Sequence, residues 1–220
     1  MKRYKVFLAI VGLLVFTGVA GATVLTFDDI SDDGYGTTIP DGYSGFKWGN
    51  MYVLNHSLFP SYLNPGGLAN GVVSGNNVVI NGYGDQASVL KLGVNSTFNF
   101  NGAYFTGAWN NGLNIEVIGS QWGDTLYDKT ITVNSFSPTW YAFNYLEITN
   151  LTFIASGGTD AGYGLPCRNG VCASVFAMDN FTINQSVPNQ SVPEPATFLL
   201  FGASMAGIGI LRKRFEALCH

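Results

Sequence analysis

The residues able to do chemistry are few in kind. The 220-residue chain has two histidines, His56 and His220, so a Ser-His-Asp or Cys-His site would have to be built on His56. No G-x-S-x-G elbow supplies a nucleophile, and one histidine with the closely spaced Cys167 and Cys172 does not make a tetrahedral zinc set. Flanked by Asn55, Ser57 and Pro60, His56 reads as a loop residue. Carboxylates are more numerous. Glu116 and Glu147 are the glutamates of the central region, and a pair held about 5–9.5 Å apart can hydrolyse a glycoside. An isolated outward glutamate on an antiparallel strand is usually only solubilising, which makes glycoside hydrolysis the weaker reading. Asp29-Ile30-Ser31-Asp32-Asp33-Gly34 imitates the first half of an EF-hand loop, but Pro40 stands where its bidentate Glu belongs. Aromatic rings are the remaining binding chemistry, because their faces stack on the C–H faces of sugars. Trp122, in the Gly119–Asp124 loop, is expected to reach solvent. Trp48 and Tyr43, with Tyr52, lie in a long early loop region and complete the candidate ligand-binding set. Trp109 and Trp140 sit beside apolar strands, where an aromatic normally fills a core.

Charge narrows the partners. Between Thr23 and Val192 the basic residues are Lys47, Lys91, Lys129 and Arg168, against twelve acidic ones, a net of −8. Nucleic acid is excluded as a partner, since phosphate binding draws on clustered Lys and Arg. Glycines number 28, only 11% of residues are charged, and none of the glycines forms a phosphate-cradling loop; helical bundles and coiled coils are ruled out.

The elements that must position these residues are strands. Apolar and polar residues alternate over Val24–Ile30, Asn77–Ile80, Ser96–Phe105, Leu113–Ile118, Lys129–Phe136, Trp140–Phe153 and Val175–Ile183. Turn residues such as Asn110-Asn111-Gly112 and Gly157-Gly158 separate them. Runs of this length and period predict half-buried strands of an all-β antiparallel sandwich, with no helix before Ala196. In Leu113–Ile118, Leu113, Ile115 and Val117 share the inner face and Glu116 points to solvent.

The two ends read as addresses. Lys2, Arg3 and Lys5 precede the apolar run Val6–Phe16, and Ala20-Gly21-Ala22 is an A-x-A site, so 1–22 is expected to be a signal peptide removed by signal peptidase. Export places Cys167 and Cys172 in an oxidising compartment, where a local disulfide is expected. At the other end Pro193-Glu194-Pro195 leads into the apolar stretch Ala196–Leu211 and then Arg212-Lys213-Arg214. A helix over 196–211 would be about 24 Å long, short for a roughly 30 Å hydrocarbon core but able to span with local thinning. Cations directly after it hold that end in the cytoplasm.

This order of Pro-Glu-Pro, apolar helix and basic cluster resembles the PEP-CTERM sorting signal of exported proteins in Gram-negative bacteria. The resemblance covers 193–214, after a Pro-rich linker at 187–195, and leaves 23–186 as one exported domain. It implies cleavage by an exosortase, an inner-membrane-anchored precursor, and a destination at the cell surface or in the extracellular matrix, with a role beside exopolysaccharide or in biofilm.

Thr26-Phe27-Asp28-Asp29, Ile39-Pro40-Asp41-Gly42-Tyr43 and Phe176-Ala177-Met178-Asp179-Asn180-Phe181 are in turn similar to the framing motifs of jelly-roll sandwiches related to galactose-binding-like and carbohydrate-binding modules. That resemblance implies a structural Ca²⁺ where first and last strands meet, on Asp28 or Asp29 with Asp179. The alternative is that these are Asx-turn and edge-strand carboxylates. The expectation is a non-enzymatic surface protein that binds extracellular polysaccharide, or alternatively a structural or adhesive protein that binds protein or itself.

Overall fold

The alternation becomes twelve strands among the described residues, 21–60, 64–163 and 173–184 of a computed structural model. In chain order they are β1 (Thr23–Leu25), β2 (Thr37–Thr38), β3 (Phe46–Gly49), β4 (Met51–Asn55), β5 (Asn77–Asn81) and β6 (Ala87–Lys91). After them come β7 (Phe98–Gly107), β8 (Asn110–Gln121), β9 (Asp124–Val133), β10 (Thr139–Ile148), β11 (Asn150–Asp160) and β12 (Phe176–Ile183). One sheet runs β10-β7-β12-β5-β4-β2, with β1 also paired to β12; the other runs β3-β6-β11-β8-β9. The chain crosses repeatedly between the two, and every strand pair is antiparallel. This is the expected all-β sandwich.

Period-two burial follows from the pleat. Leu113, Ile115 and Val117 of β8 are fully buried while Asn114 is exposed and Glu116 lies on the outer face. Aromatic rings fill the space between the sheets. Phe100 stacks on Phe181 at 4.8 Å and on Phe143 at 5.2 Å, and meets Phe153 of the opposite sheet edge-on. Tyr145 of β10 pins the layers together. Its hydroxyl donates to the Val117 carbonyl of β8 at 2.9 Å and its ring stacks on Tyr127 of β9 at 4.5 Å. Burial, then the charge of Asp128 and the neighbouring Tyr127, push this phenol up to about 12.

Several boundaries differ from the sequence reading, and the early region read as a long loop contains β3 with Trp48 and β4 with Tyr52. Val24–Ile30 is strand only to Leu25, because Phe27 takes a left-handed φ of 62° and Ile30 N–H turns back to its carbonyl. Trp140–Phe153 is two strands in different sheets, β10 and β11, with only Thr149 between them. An apolar run crossing from one sheet to the other keeps its hydrophobic pattern, so periodicity does not mark the corner. Asn110-Asn111-Gly112 and Gly157-Gly158 lie inside β8 and β11 rather than in turns; the turn before β8 is Ala108-Trp109. The two glycines of β11 have φ of 70° and 81°, so they bend the strand without ending its ladder to β8.

Among the described residues the only α-helical turn is α1 (Gly67–Asn70), and no helix there is long and apolar enough to cross a membrane. Ala20, the Cys167–Cys172 pair, the stretch Ala196–Leu211 and the residues Pro193, Glu194, Pro195, Arg212, Lys213 and Arg214 lie outside the described residues. Ala22 falls just inside them and is exposed.

Phe100→Ala should cost about 3–5 kcal/mol of unfolding free energy in urea titrations. Phe136→Ala, at a ring 65% exposed, should stay within about 0.5 kcal/mol.

Candidate functional site

Two strands in the middle of the larger sheet and one of their neighbours are apolar on both faces. Val53, Val79 and Met178 point into the main core, and Leu54, Val78 and Ala177 point outward into a second buried cluster. A strand reads this way when both faces are covered. The cover comes from α1, from Trp109 of the β7–β8 turn and from Val175 just before β12. Gly67 N–H donates to the Ala108 carbonyl at 2.9 Å, and a Cβ at Gly67 would run into the Gly107 carbonyl, so the turn and the helix seat only through glycine.

The cover is incomplete. It leaves a groove of about 460 Å³ on this outer face, within the range of small-ligand sites. Five rings line it, Tyr35, Tyr52, Phe59, Tyr83 and Trp109, over a floor of Leu54, Ile80 and Val175. No charged residue is among the described lining residues. Tyr35 and Tyr83 stand at its rim, 74% and 87% exposed. Each is the centre of a Gly-Tyr-Gly, and Tyr83 is held at φ 56° in the single turn Gly82–Gly84, out of the strand direction. Trp109 closes the groove from inside at 7% exposure.

The expected ligand set is rearranged. Trp48 is a core residue, 5% exposed, edge-on to Phe27 and Phe181, with its Nε1–H donated to the Tyr43 carbonyl at 3.1 Å. It has no face left for a ligand. Tyr43 stacks on Phe27 at 5.7 Å and donates its hydroxyl to Asp29 at 2.7 Å. Burial first, then that bond and the charges of Asp29 and Asp28, push its phenol well above the ordinary tyrosine range. Trp122 is 60% exposed as expected, at φ 54° on the β8–β9 turn, and does not line the groove. Sequence reasoning ranked tryptophans by loop membership and so missed Tyr35 and Tyr83. The Gly-Tyr-Gly spacing was the available signal, since a ring between two glycines belongs to neither face of a strand. Glu116 lies on the outer face of the smaller sheet and Glu147 is exposed on β10 of the larger, so the pair does not converge.

The acidic residues gather around a loop. Both Asp179 oxygens accept hydrogen bonds. Oδ2 takes Val73 N–H at 2.7 Å and Ser74 N–H at 2.9 Å, and Oδ1 takes Asn180 N–H at 2.6 Å. From the other side Asp28 Oδ1 accepts from Asn76 N–H at 2.9 Å and Asn77 N–H at 3.2 Å. The two carboxylates thus latch residues 73–77 onto β12 and onto the turn after β1. Gly75 between them, at φ 51°, has no room for a Cβ, which would run into the Asp28 carboxylate. Asp32 is saturated likewise by Gly34 N–H, Gly36 N–H, Asn55 N–H and the Thr37 hydroxyl. Asp29 is turned to Tyr43, so Asp28, Asp29 and Asp179 do not form one cluster, and among the described residues no three acidic, His or Cys side chains group to hold a metal. The buried Asn77 Oδ1 at the latch has no hydrogen-bond partner. As arranged, Asp28 and Asp179 hold backbone from residues distant in sequence, whereas the Asp32 bond to Gly34 N–H has the spacing of an Asx turn.

Comparison with known proteins adds the address. Residues 191–214 match the PEP-CTERM protein-sorting motif, two residues earlier than the sequence reading began it. A chain bearing this motif is exported as a membrane-anchored precursor, handled by an exosortase and sorted to the cell surface. No curated protein matches the chain in sequence. Two solved structures are similar at low identity. A DUF4465 family protein from Bacteroides ovatus has 12% identity over 77% of this chain and 90% of that one, with a TM-score of 0.43. TmCBM61 in complex with β-1,4-galactotriose has 10% identity over 67% and 95%, with a TM-score of 0.38.

Asp179→Ala leaves buried N–H groups without an acceptor and should cost about 1–3 kcal/mol for each, read in urea titrations. EDTA should leave the wild-type melting temperature unchanged; a fall would show a cation at the latch. Burial, with a smaller push from Asp28, holds the Asp179 carboxyl above the usual range, against the pull of the Ser74, Val73 and Asn180 N–H groups. Its folded-state value exceeds the unfolded one, so this contribution to stability is present in acid and lost as pH rises through the folded value. The stability of wild type relative to Asp179→Asn is therefore expected to rise as pH is lowered from neutrality, and a falling difference contradicts it.

Proposed function

We propose that the exported domain is a non-catalytic module that binds a neutral glycan in the outer-face groove, and that it serves among extracellular polysaccharide, as in a biofilm. The observation that carries this is the groove itself, ringed by five aromatic residues and with no charged residue among its described lining residues. Apolar faces with hydroxyls at their edges suit sugar rings, which present C–H faces and peripheral hydroxyls. The Tyr35, Tyr52 and Tyr83 hydroxyls supply orienting donors, a few polar groups in an apolar site. With no cation among the described lining residues, neutral sugars are favoured over uronates, whose carboxylates would be desolvated against the rings. The non-catalytic reading is supported by the absence of a carboxylate pair from this lining and by the separation of Glu116 from Glu147.

Assembly through strand edges has less support. The β9 edge is already engaged by β10, where Lys129 Nζ donates to the Ala142 carbonyl and the Tyr141 hydroxyl to the Thr132 carbonyl.

A glycan array with residues 23–186 should show retention on neutral polysaccharides. Tyr83→Ala and Tyr35→Ala should each weaken it about tenfold, roughly 1.4 kcal/mol, while Trp122→Ala should leave it intact. Equal retention by Tyr83→Ala and wild type, or none on any glycan, would refute the assignment.

A further inference from the structure

Strand register gathers one end of the sandwich around the point where the chain leaves it. Thr23 pairs with Ile183, and Asn184 N–H donates to the Asn99 carbonyl at 2.9 Å, so the beginning of β1 and the end of β12 lie side by side. The β6–β7 connection, the β8–β9 turn and the β10–β11 corner meet at the same end, where Phe98 pairs with Ile148 and Asn150 with both Ser120 and Leu90. Thr149 ties the three together. Its carbonyl accepts from Lys91 N–H at 2.9 Å, its hydroxyl oxygen from Trp122 N–H at 3.2 Å, and its own N–H donates to the Ser120 carbonyl at 2.8 Å.

Apolar side chains project from this end. Val94 is 92% exposed, Trp122 60% and Leu92 41%, with Val24 at 50% beside the chain exit. They sit on tight connections at the tip of the sandwich, where three turns are cross-linked through one residue. Burial within the fold does not explain them.

We propose that this end is a membrane-contacting surface, at which Val94, Leu92 and Trp122 enter the interfacial layer of the bilayer that holds the precursor. Chain length selects this occupant. Eleven residues separate Asn184 from Ala196, where the apolar stretch of the sorting motif begins, and they reach at most about 40 Å even when fully extended. The described chain ends at this face, so its span to a bilayer that holds the sorting motif is bounded by those eleven residues. Over so short a span the effective concentration is about millimolar, so a weak contact made by a few side chains suffices. Tryptophan is the residue enriched at membrane–water interfaces, with its ring in the apolar layer and its N–H towards water.

The charges do not drive the contact. Lys91 pairs with Phe46 and Lys47 with Leu90 on one flank, and Asp124 and Glu147 lie beside Trp122 on the other. These flanking charges belong to a domain of net −8, so an anionic surface does not attract it and apolar insertion decides. The groove faces elsewhere. Tyr83, Trp109 and Val175 lie at the opposite ends of β5, β7 and β12, so a docked domain would hold its groove away from the bilayer.

The test uses the full-length precursor reconstituted in vesicles of phosphatidylethanolamine and phosphatidylglycerol with brominated acyl chains, which quench nearby tryptophan fluorescence. Wild type should show a quenchable component that falls at least about threefold in Trp122→Phe and in Val94→Glu. Trp140→Phe should retain it, since Trp140 pairs with Tyr104 towards the far end. Hydrogen exchange should slow at residues 92–95 and 121–124 when lipid is present. Equal quenching in Trp122→Phe and wild type, or loss in Trp140→Phe, would overturn the proposal. Slowing at the same residues without lipid that grows with protein concentration would also overturn it, in favour of a second copy. No glycan is present in these measurements, so failure of the groove assignment leaves their outcome unaffected.

Discussion

Strand β12 exchanges backbone hydrogen bonds with β7 on one side and with β5 and β1 on the other, and it is buried on both faces. Phe176, Met178, Phe181 and Ile183 enter the aromatic core, where Phe181 stacks on Phe100 and meets Trp48 edge-on. Ala177, facing the other way, belongs to the cluster under the groove. Asp179 turns to the 73–77 loop and holds it by its N–H groups. A strand enclosed in this way cannot shift by one residue, because a slip would send the phenylalanines outward and leave Asp179 facing the core. Core, groove floor and latch thus depend on one register.

That register also gives the domain its polarity. Val175, just before β12, lines the groove, and the end of β12 lies beside the beginning of β1. A short strand of eight residues therefore runs from the groove to the end of the sandwich where the described chain leaves it. The latch matters to the groove as well, since the 73–77 loop follows Val72, which packs against the cluster that includes Leu68 and Val175.

Much of the fold was legible. Strict alternation in Leu113–Val117 marked the inner face correctly, because burial on one side of a pleat leaves a period of two in the sequence, whereas β12 is buried on both faces and shifts register between Asp179 and Thr182. The β10–β11 corner was not legible, because Ile148 and Leu151 are both core residues although they belong to different sheets. The site was less legible than the fold. Trp48 and Tyr43 stand in a segment that looks like loop, yet packing against Phe27 places Trp48 in the core and fixes Tyr43 on its edge. Tyr35 and Tyr83, 48 residues apart in sequence, become neighbours on one groove only because β2 pairs with β4 and β4 with β5.

What the sequence determined by itself is the class of the protein and its destination: an antiparallel sandwich, poor in histidine and rich in aromatic residues, ending in a sorting motif. Both are written locally, one in the alternation of adjacent residues and the other in a contiguous string of Pro-Glu-Pro, apolar stretch and cations. The tertiary structure alone decided which rings are free, which carboxylates hold backbone and which turns share the end where the chain departs. Those properties arise from pairings between distant strands, and the free energy of burying a side chain depends on what is opposite it rather than on what precedes it.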